Sequence, residues 1–240
     1  MFRRNQQSRR SFLSALVLIL GLLLPTSKPQ AQSVGNPNPH PQPIAPTARP
    51  YGLTYGQWTA KWWQWALALP LAGHPFLGCP APSDDASQTG PVWFLAGSTC
   101  NGLTVPAGKS LLFPLANIEC SSLEGGTDFF GGNAADQLAC AQVQANYIDA
   151  ASLFCYIDGA PLKNNFALYR FTSPQFAFTA PTPWIFSYEA YPPLFLPGGP
   201  GTAVGDGYYL MLPPLSVGSH TLRFGGAFGI DATINLTVTP

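Results

Sequence analysis

TYGQWTAKWWQWALALP, residues 54–70, places four tryptophans within eight positions of a chain that is otherwise built from short strand-like pieces. Its ends are those of a helix. Thr54 and Gln57 have capping-box spacing, Leu53 and Trp58 have the spacing of a hydrophobic staple, and Pro70 stops the helix after Leu69. At 3.6 residues per turn Trp62, Trp65 and Leu69 fall within about 40° of Trp58, while Trp63 lies about 140° away beside Leu67. Only Gln57, Lys61, Gln64 and Ala68 form a strip fit for water. A helix this apolar must be buried over most of its circumference. The ridge of Trp58, Trp62 and Trp65 is therefore expected in a core, and Trp63 is the ring expected to remain outside as a ligand platform.

What buries it is read from the residues that follow. "PVWFLAG" (91–97) and "KSLLFPLANIEC" (109–120) are continuous apolar runs bounded by Gly and Pro, as in strands covered on both faces, with "TVPAG" (104–108) as a turn. Alanine-rich "NAADQLACAQVQANYIDAA" (133–151) predicts a second short helix. The last ninety residues read as strands: "SLFCYIDG", "NFALYRFTS", "QFAFTA", "GYYLMLPP", "SHTLRFGGAF" and "DATINLTVTP". In the last of these Ala232, Ile234, Leu236 and Val238 alternate with polar residues, a half-buried closing strand. The fold class expected is all-β, an immunoglobulin-like or jelly-roll β-sandwich over 53–240 that carries the tryptophan helix and the second helix.

Upstream, residues 34–52 carry proline at 37, 39, 41, 43, 46 and 50 and predict an extended spacer in water, or a strap over the domain near its end. Residues 1–33 read as a signal peptide, with four arginines ahead of an apolar run from Ala15 to Leu24. Ten residues reach roughly 15 Å, half of a bilayer core, so no permanent membrane span is expected. "SRRSFLS" (8–14) has the twin-arginine pattern except at Ser14, against general secretory export as the alternative. The expected location is periplasmic or secreted.

Loss of Arg3, Arg4, Arg9, Arg10 and Lys28 with the leader leaves six basic against eleven acidic residues, about five net negative charges. The remaining basic residues are scattered singly, which excludes nucleic acid as a partner. Only 9% of residues are charged, while 13% are aromatic, a composition of core rather than disorder. Of five cysteines in an exported chain, four are expected to pair, Cys79 with Cys100 and Cys120 with Cys140, although spacing alone does not fix connectivity. Cys155, inside an apolar strand, reads as a buried thiol.

The blocks "YGQWTAKWWQWALALP", "GPVWFLAG", "VPAGKSLLFPLANIEC" and "DGYYLMLPPLSVGSHTLRFGG" together resemble a family of secreted bacterial proteins to which no activity is attached. The resemblance extends over most of residues 51–240. It implies export and brings no functional residue.

Groups able to do chemistry are few. Glu119, Glu124, Asp128 and Asp136 crowd "NIECSSLEGGTDFFGGNAADQ", where paired carboxylates flanked by Phe129 or Phe130 would suit glycosidic cleavage. A plain glycine-rich loop and a calcium site are the alternatives, the latter without D-x-D-x-D-G spacing. His74, His220, Met211 and Cys155 are soft metal ligands, but no H-x-H or H-x-x-x-H occurs, so no metal or other cofactor is expected. A Ser-His-Asp triad has no G-x-S-x-G elbow behind it. Recognition through aromatics suits the composition better, with Trp63, Trp184, Tyr188 and Tyr191 as ligand-binding candidates. The apolar stretch "APTPWIFSYEAYPPLFLPGGPG" (180–201) would either fold over the sandwich or present them to a partner. The expected function is non-catalytic, binding or structural, with a glycan or an extracellular protein as partner. The alternative is a carbohydrate-active hydrolase using Glu119, Glu124 and Asp128.

Overall fold

The tryptophan helix forms as α1 (Tyr55–Leu67), with both halves of the Thr54 and Gln57 capping box in place. The computed structural model describes residues 41–79, 88–190 and 193–240. Gln57, Lys61, Gln64 and Ala68 are the helix's exposed strip, and all four tryptophans are buried. Trp63 is a correction to the expectation of an outward ring. It is 3% exposed, because Gly205 leaves room for it: a Cβ there would stand 2.4 Å from the indole Cδ1 and Nε1.

Ten of the described strands form a sandwich of two five-stranded sheets, while β8 (Tyr188–Ala190) and β9 (Pro193–Phe195) pair antiparallel as a separate two-stranded sheet. The first holds β1 (Val92–Phe94), β3 (Ser110–Ser121), β10 (Gly199–Leu212) and β6 (Arg170–Thr172) in that order, with β7 (Phe176–Ala180) also paired to β10. The second runs β2 (Cys100–Pro106), β12 (Asp231–Thr239), β11 (Gly218–Gly225), β4 (Phe154–Ile157) and β5 (Ala160–Pro161). β1 with β3 and β2 with β12 are parallel pairs, and the other pairings within the two sheets are antiparallel. The expected turn at 104–108 is shorter than read: Thr104, Val105 and Pro106 lie in β2, and the chain reverses at Ala107 and Gly108. "NFALY" is likewise a 3-10 turn, Phe166–Tyr169, leading into β6.

Long strands β3 and β10 are buried on both faces, as their unbroken apolar sequence requires. Phe113, paired with Leu210, meets Phe224 of the second sheet at 4.5 Å between ring centroids. On the opposite face Tyr209, paired with Pro114, meets Trp62 of α1 at 6.0 Å. β3 and β10 project beyond the second sheet, and there α2 (Ala134–Ala145) takes over its face. Cys120, Val204 and Ala141 form that contact, fastened by the Cys120–Cys140 disulfide. α2 buries Gln137, Ala141 and Ala145 and leaves Leu138 and Val143 exposed, as is Tyr147 just past its end. Its small side chains allow close approach, and Gln137 donates to the carbonyls of Gly131 and Thr202.

The second disulfide is Cys79–Cys100, as paired from the sequence, and Cys155 is a buried free thiol whose pKa burial pushes up to about 12. Closing a loop of 20 residues, the Cys120–Cys140 bridge stabilises by about 3 kcal/mol in the chain-entropy model. Replacing both cysteines by serine is expected to lower the urea midpoint accordingly, with α2 the first element to lose amide-exchange protection. No helix of the described residues is long and apolar enough to cross a membrane.

The end of the proline-rich segment is a strap rather than a spacer in water. Pro41 and Pro43 are buried, the Ile44 N–H donates to the Met211 carbonyl at 2.8 Å, and Trp58 Nε1 donates to the Pro50 carbonyl at 2.9 Å. The expected signal peptide, 1–33, and residues 34–40 lie outside the described residues.

Candidate functional site

Across from α1, positions 205, 207 and 209 of β10 are Gly, Gly and Tyr, paired with Glu119, Asn117 and Pro114 of β3. A Cβ at Gly207, where φ is +156°, would stand 2.5 Å from the Asn117 backbone. Gly205, bare of a side chain, leaves the space beneath the helix that Trp63 fills. Beside Trp63 lies a cavity of about 400 Å³. Trp62, Trp63, Phe76, Phe129 and Phe186 supply its aromatic walls, and Ser98, Asn117, Glu119 and Glu124 its polar groups. Asn117, Ile118, Phe129, Phe186 and Ile230 are only half buried, so this rim opens the cavity to water.

Glu119 and Glu124 are each 3% exposed. Glu119 is carried inward by the strand alternation that turns its neighbour Cys120 toward α2. Glu124 comes from the loop after β3, where its Oε2 accepts a 2.7 Å hydrogen bond from the Ser121 hydroxyl. Neither oxygen of Glu119 meets a hydrogen-bond partner of standard geometry. Burial, together with the charge and hydrogen-bonding reach of the Glu124 carboxyl, holds its pKa well above the ordinary carboxyl range. Asn117 Nδ2 donates to the Tyr209 hydroxyl at 2.9 Å, and burial pushes that phenol's pKa up.

The other sequence candidates do not join this site. Asp128 is exposed, with its carbonyl facing Gln144, and Asp136 is exposed at the start of α2, where Asn133 Nδ2 donates to it. Phe130 is 47% exposed, whereas Phe129 lines the cavity. Trp184 is a correction as a platform: it is 0% exposed and its indole N–H donates to the Leu196 carbonyl at 3.0 Å. The stretch around it folds onto the sandwich, except that Tyr188 and Phe195 remain outside as an exposed ring pair 5.4 Å apart. Tyr191 lies outside the described residues.

Ser216, His220 and Asp158 meet with the connectivity of a catalytic relay. Ser216 Oγ lies 3.1 Å from His220 Nε2, and His220 Nδ1 lies 2.8 Å from Asp158 Oδ2. The same Nε2, however, is 2.9 Å from the carbonyl oxygen of Ser216 itself. A carbonyl there requires the ring to donate, whereas a general base needs that lone pair for the serine proton. The group is a clip between the turn after β4 and the corner before β11, and Asp158 Oδ1 completes it by accepting from Thr221 N at 2.8 Å. His74 is a core residue: the Phe76 N–H donates to its Nδ1, and its Nε2 lies 2.9 Å from the Ala66 carbonyl. No group of three His, Cys, Asp or Glu gathers among the described residues.

Comparison of the chain with family models, curated proteins and solved structures gives no match. The cavity must be interpreted from its own chemistry. The sequence signal for it was Glu119, a lone acid inside a continuous apolar strand, where an unpaired charge is rare. Gly205 carried no such signal, because its effect depends on which helix lies across from it.

Proposed function

We propose that this is an exported binding protein whose ligand is a compact, largely apolar small molecule held in the cavity above Glu119 and Glu124. The observation that carries the reading is an aromatic-lined cavity of about 400 Å³ with two buried carboxyls, Glu119 and Glu124, in its wall. That volume is within the range of small-molecule pockets, as is the balance of apolar wall to a few convergent polar groups. Two disulfides favour an oxidising compartment, in keeping with export by the arginine-bearing leader.

Binding is favoured over glycosidic cleavage by the spacing of the acids. A glycosidase holds its carboxyl groups about 5–10 Å apart with the scissile bond between them. Here Glu119 and Glu124 are within hydrogen-bonding reach of one another, and Asp128 is on the outside. A glycan is also a poor match to walls that are mostly apolar among the described residues.

A thermal-shift screen of the disulfide-bonded protein tests this. A true ligand at a hundred times its Kd stabilises by about 2.7 kcal/mol, a shift of several degrees. Ala116→Leu and Gly97→Leu, both at lining positions, are expected to weaken that ligand at least tenfold while the unliganded protein stays folded. Equal affinity in the filled variants would place binding elsewhere. Turnover of a glycan that disappears in Glu119→Gln would establish the hydrolase instead.

A further inference from the structure

Resting on that reading, we propose that the ligand class is a short apolar peptide, its backbone joining the open edge of β3 at Asn117 and its side chains lying against Phe76, Phe129 and Phe186. β1 pairs with β3 only at Ser110, Leu111 and Leu112, and its ladder ends where the Leu95 N–H donates to the Leu112 carbonyl. At the other end of β3 the Ser121 N–H donates to the Phe129 carbonyl, and the Ser121 carbonyl accepts from the Gly131 N–H. Both backbone groups of Ser121 therefore face away from β10. Along an antiparallel pair this direction alternates with each residue, and no bulge separates Ser121 from Asn117, so the Asn117 N–H and carbonyl face the same way. The β10 side agrees: Gly205, opposite Glu119, spends its own N–H and carbonyl on Ser173 rather than on β3. Among the described residues nothing bonds to the backbone of Asn117 on that edge. Asn117 is half-buried and lines the cavity.

A strand residue that offers an N–H and a carbonyl side by side is matched by one peptide unit, –NH–CHR–CO–, which returns both hydrogen bonds as an added strand does. The gap sets the length. It is closed at one end by the chain leaving β1, where Gly97 and Ser98 line the cavity, and at the other by the Phe129 and Gly131 contacts with Ser121. A long strand from a folded partner does not pass between them, whereas a short peptide fits. Its ends are also constrained. Two carboxyls stand in the wall and no lysine, arginine or histidine lines the cavity, so a free carboxylate on the ligand meets no counter-charge there.

The test titrates N-acetylphenylalanine methylamide calorimetrically into the disulfide-bonded protein, beside its analogue methylated on the phenylalanine nitrogen, which keeps the apolar body and lacks that N–H. The parent is expected to bind about tenfold more tightly, the range for a hydrogen bond whose loss leaves a carbonyl unpaired. Asn117→Pro removes an N–H that the sheet does not use, at an open edge where proline is tolerated, and is expected to weaken the parent by a similar factor. Asn117→Ala keeps the backbone and is expected to bind it within about threefold of the wild type. Equal losses in the two variants would move the contact to the side chain and overturn the edge pairing. Should Asn117→Pro fold poorly, the methylated probe still decides: equal affinity for the two probes overturns the proposal, while loss of both in Ala116→Leu leaves the cavity reading standing. Binding that survives in Ala116→Leu lies outside the cavity and overturns the proposal too. Extending the parent with alanines at both ends is expected to abolish binding, and tighter binding of the extended peptide would overturn the assignment of a short ligand. Failure of the parent to bind overturns the proposal as well, and the thermal-shift screen then decides the cavity reading separately.

Discussion

Trp62→Ala is expected to cost about 3–5 kcal/mol of folding stability, the range for removing a fully buried tryptophan. The ring is 0% exposed and touches each layer that meets at the cavity. It stacks on Phe76 at 5.7 Å, stands edge-on to Trp63 at 4.9 Å, and meets Tyr209 of β10 at 6.0 Å. Its indole N–H donates to the Leu95 carbonyl at 2.9 Å, so truncation also leaves a buried acceptor unpaired. The upper half of the range is the expectation for that reason. Since domains of this kind are stable by only about 5–15 kcal/mol, urea denaturation should show a large fall in midpoint with little change in slope. A loss below about 1 kcal/mol would mean that α1 is not held as described. Trp62→Phe separates the two contributions: it keeps most of the ring volume and loses the hydrogen bond, so an intermediate loss is expected.

That one residue joins so much reflects how the helix was legible from sequence. Its apolar circumference, its cap and its four-residue wet strip all follow from local chemistry, and each is realised in α1. The alternating closing strand and the continuous apolar run of β3 were legible for the same reason, because period and burial are properties of the segment itself. Trp63 was misread because a helical wheel states which way a ring points and not what lies there. Gly205, more than 140 positions away in sequence, makes the space that takes it in. The first eight residues of β10 were also missed. "GPGTAVGD" has the composition of a loop, and it is strand because β3, β6 and β7 supply its hydrogen bonds. Of the acids in one glycine-rich region, the strand alternation sends Glu119 inward, Ser121 draws in Glu124, and Asp128 has neither influence on it.

Glu119 is expected to give the protein an unusual dependence of stability on pH, which Glu119→Gln removes. An unfolded glutamate ionises near pH 4.3, whereas in the fold burial and Glu124 keep Glu119 protonated to much higher pH. Between those two values the folded state binds more protons than the unfolded one, so stability falls as pH rises. The stabilising contribution is complete below about pH 4.3 and is lost as pH climbs toward the folded pKa, at about 1.4 kcal/mol per pH unit for one group. Asp231 acts in the opposite sense: its pKa is lowered by the hydrogen bond from Arg223, so its contribution is present above the ordinary aspartate range and is lost in acid. The two windows do not overlap. Subtracting the denaturation free energies of Glu119→Gln from those of the wild type, measured in steps from pH 4.5 to 8.5, cancels what the two proteins share. The difference should decline by about 1.4 kcal/mol per unit and then level, and the pH at which it levels is the apparent pKa of the Glu119 and Glu124 carboxyl pair. A flat difference would show a carboxyl reached by solvent, with neither burial nor Glu124 acting on it in the fold.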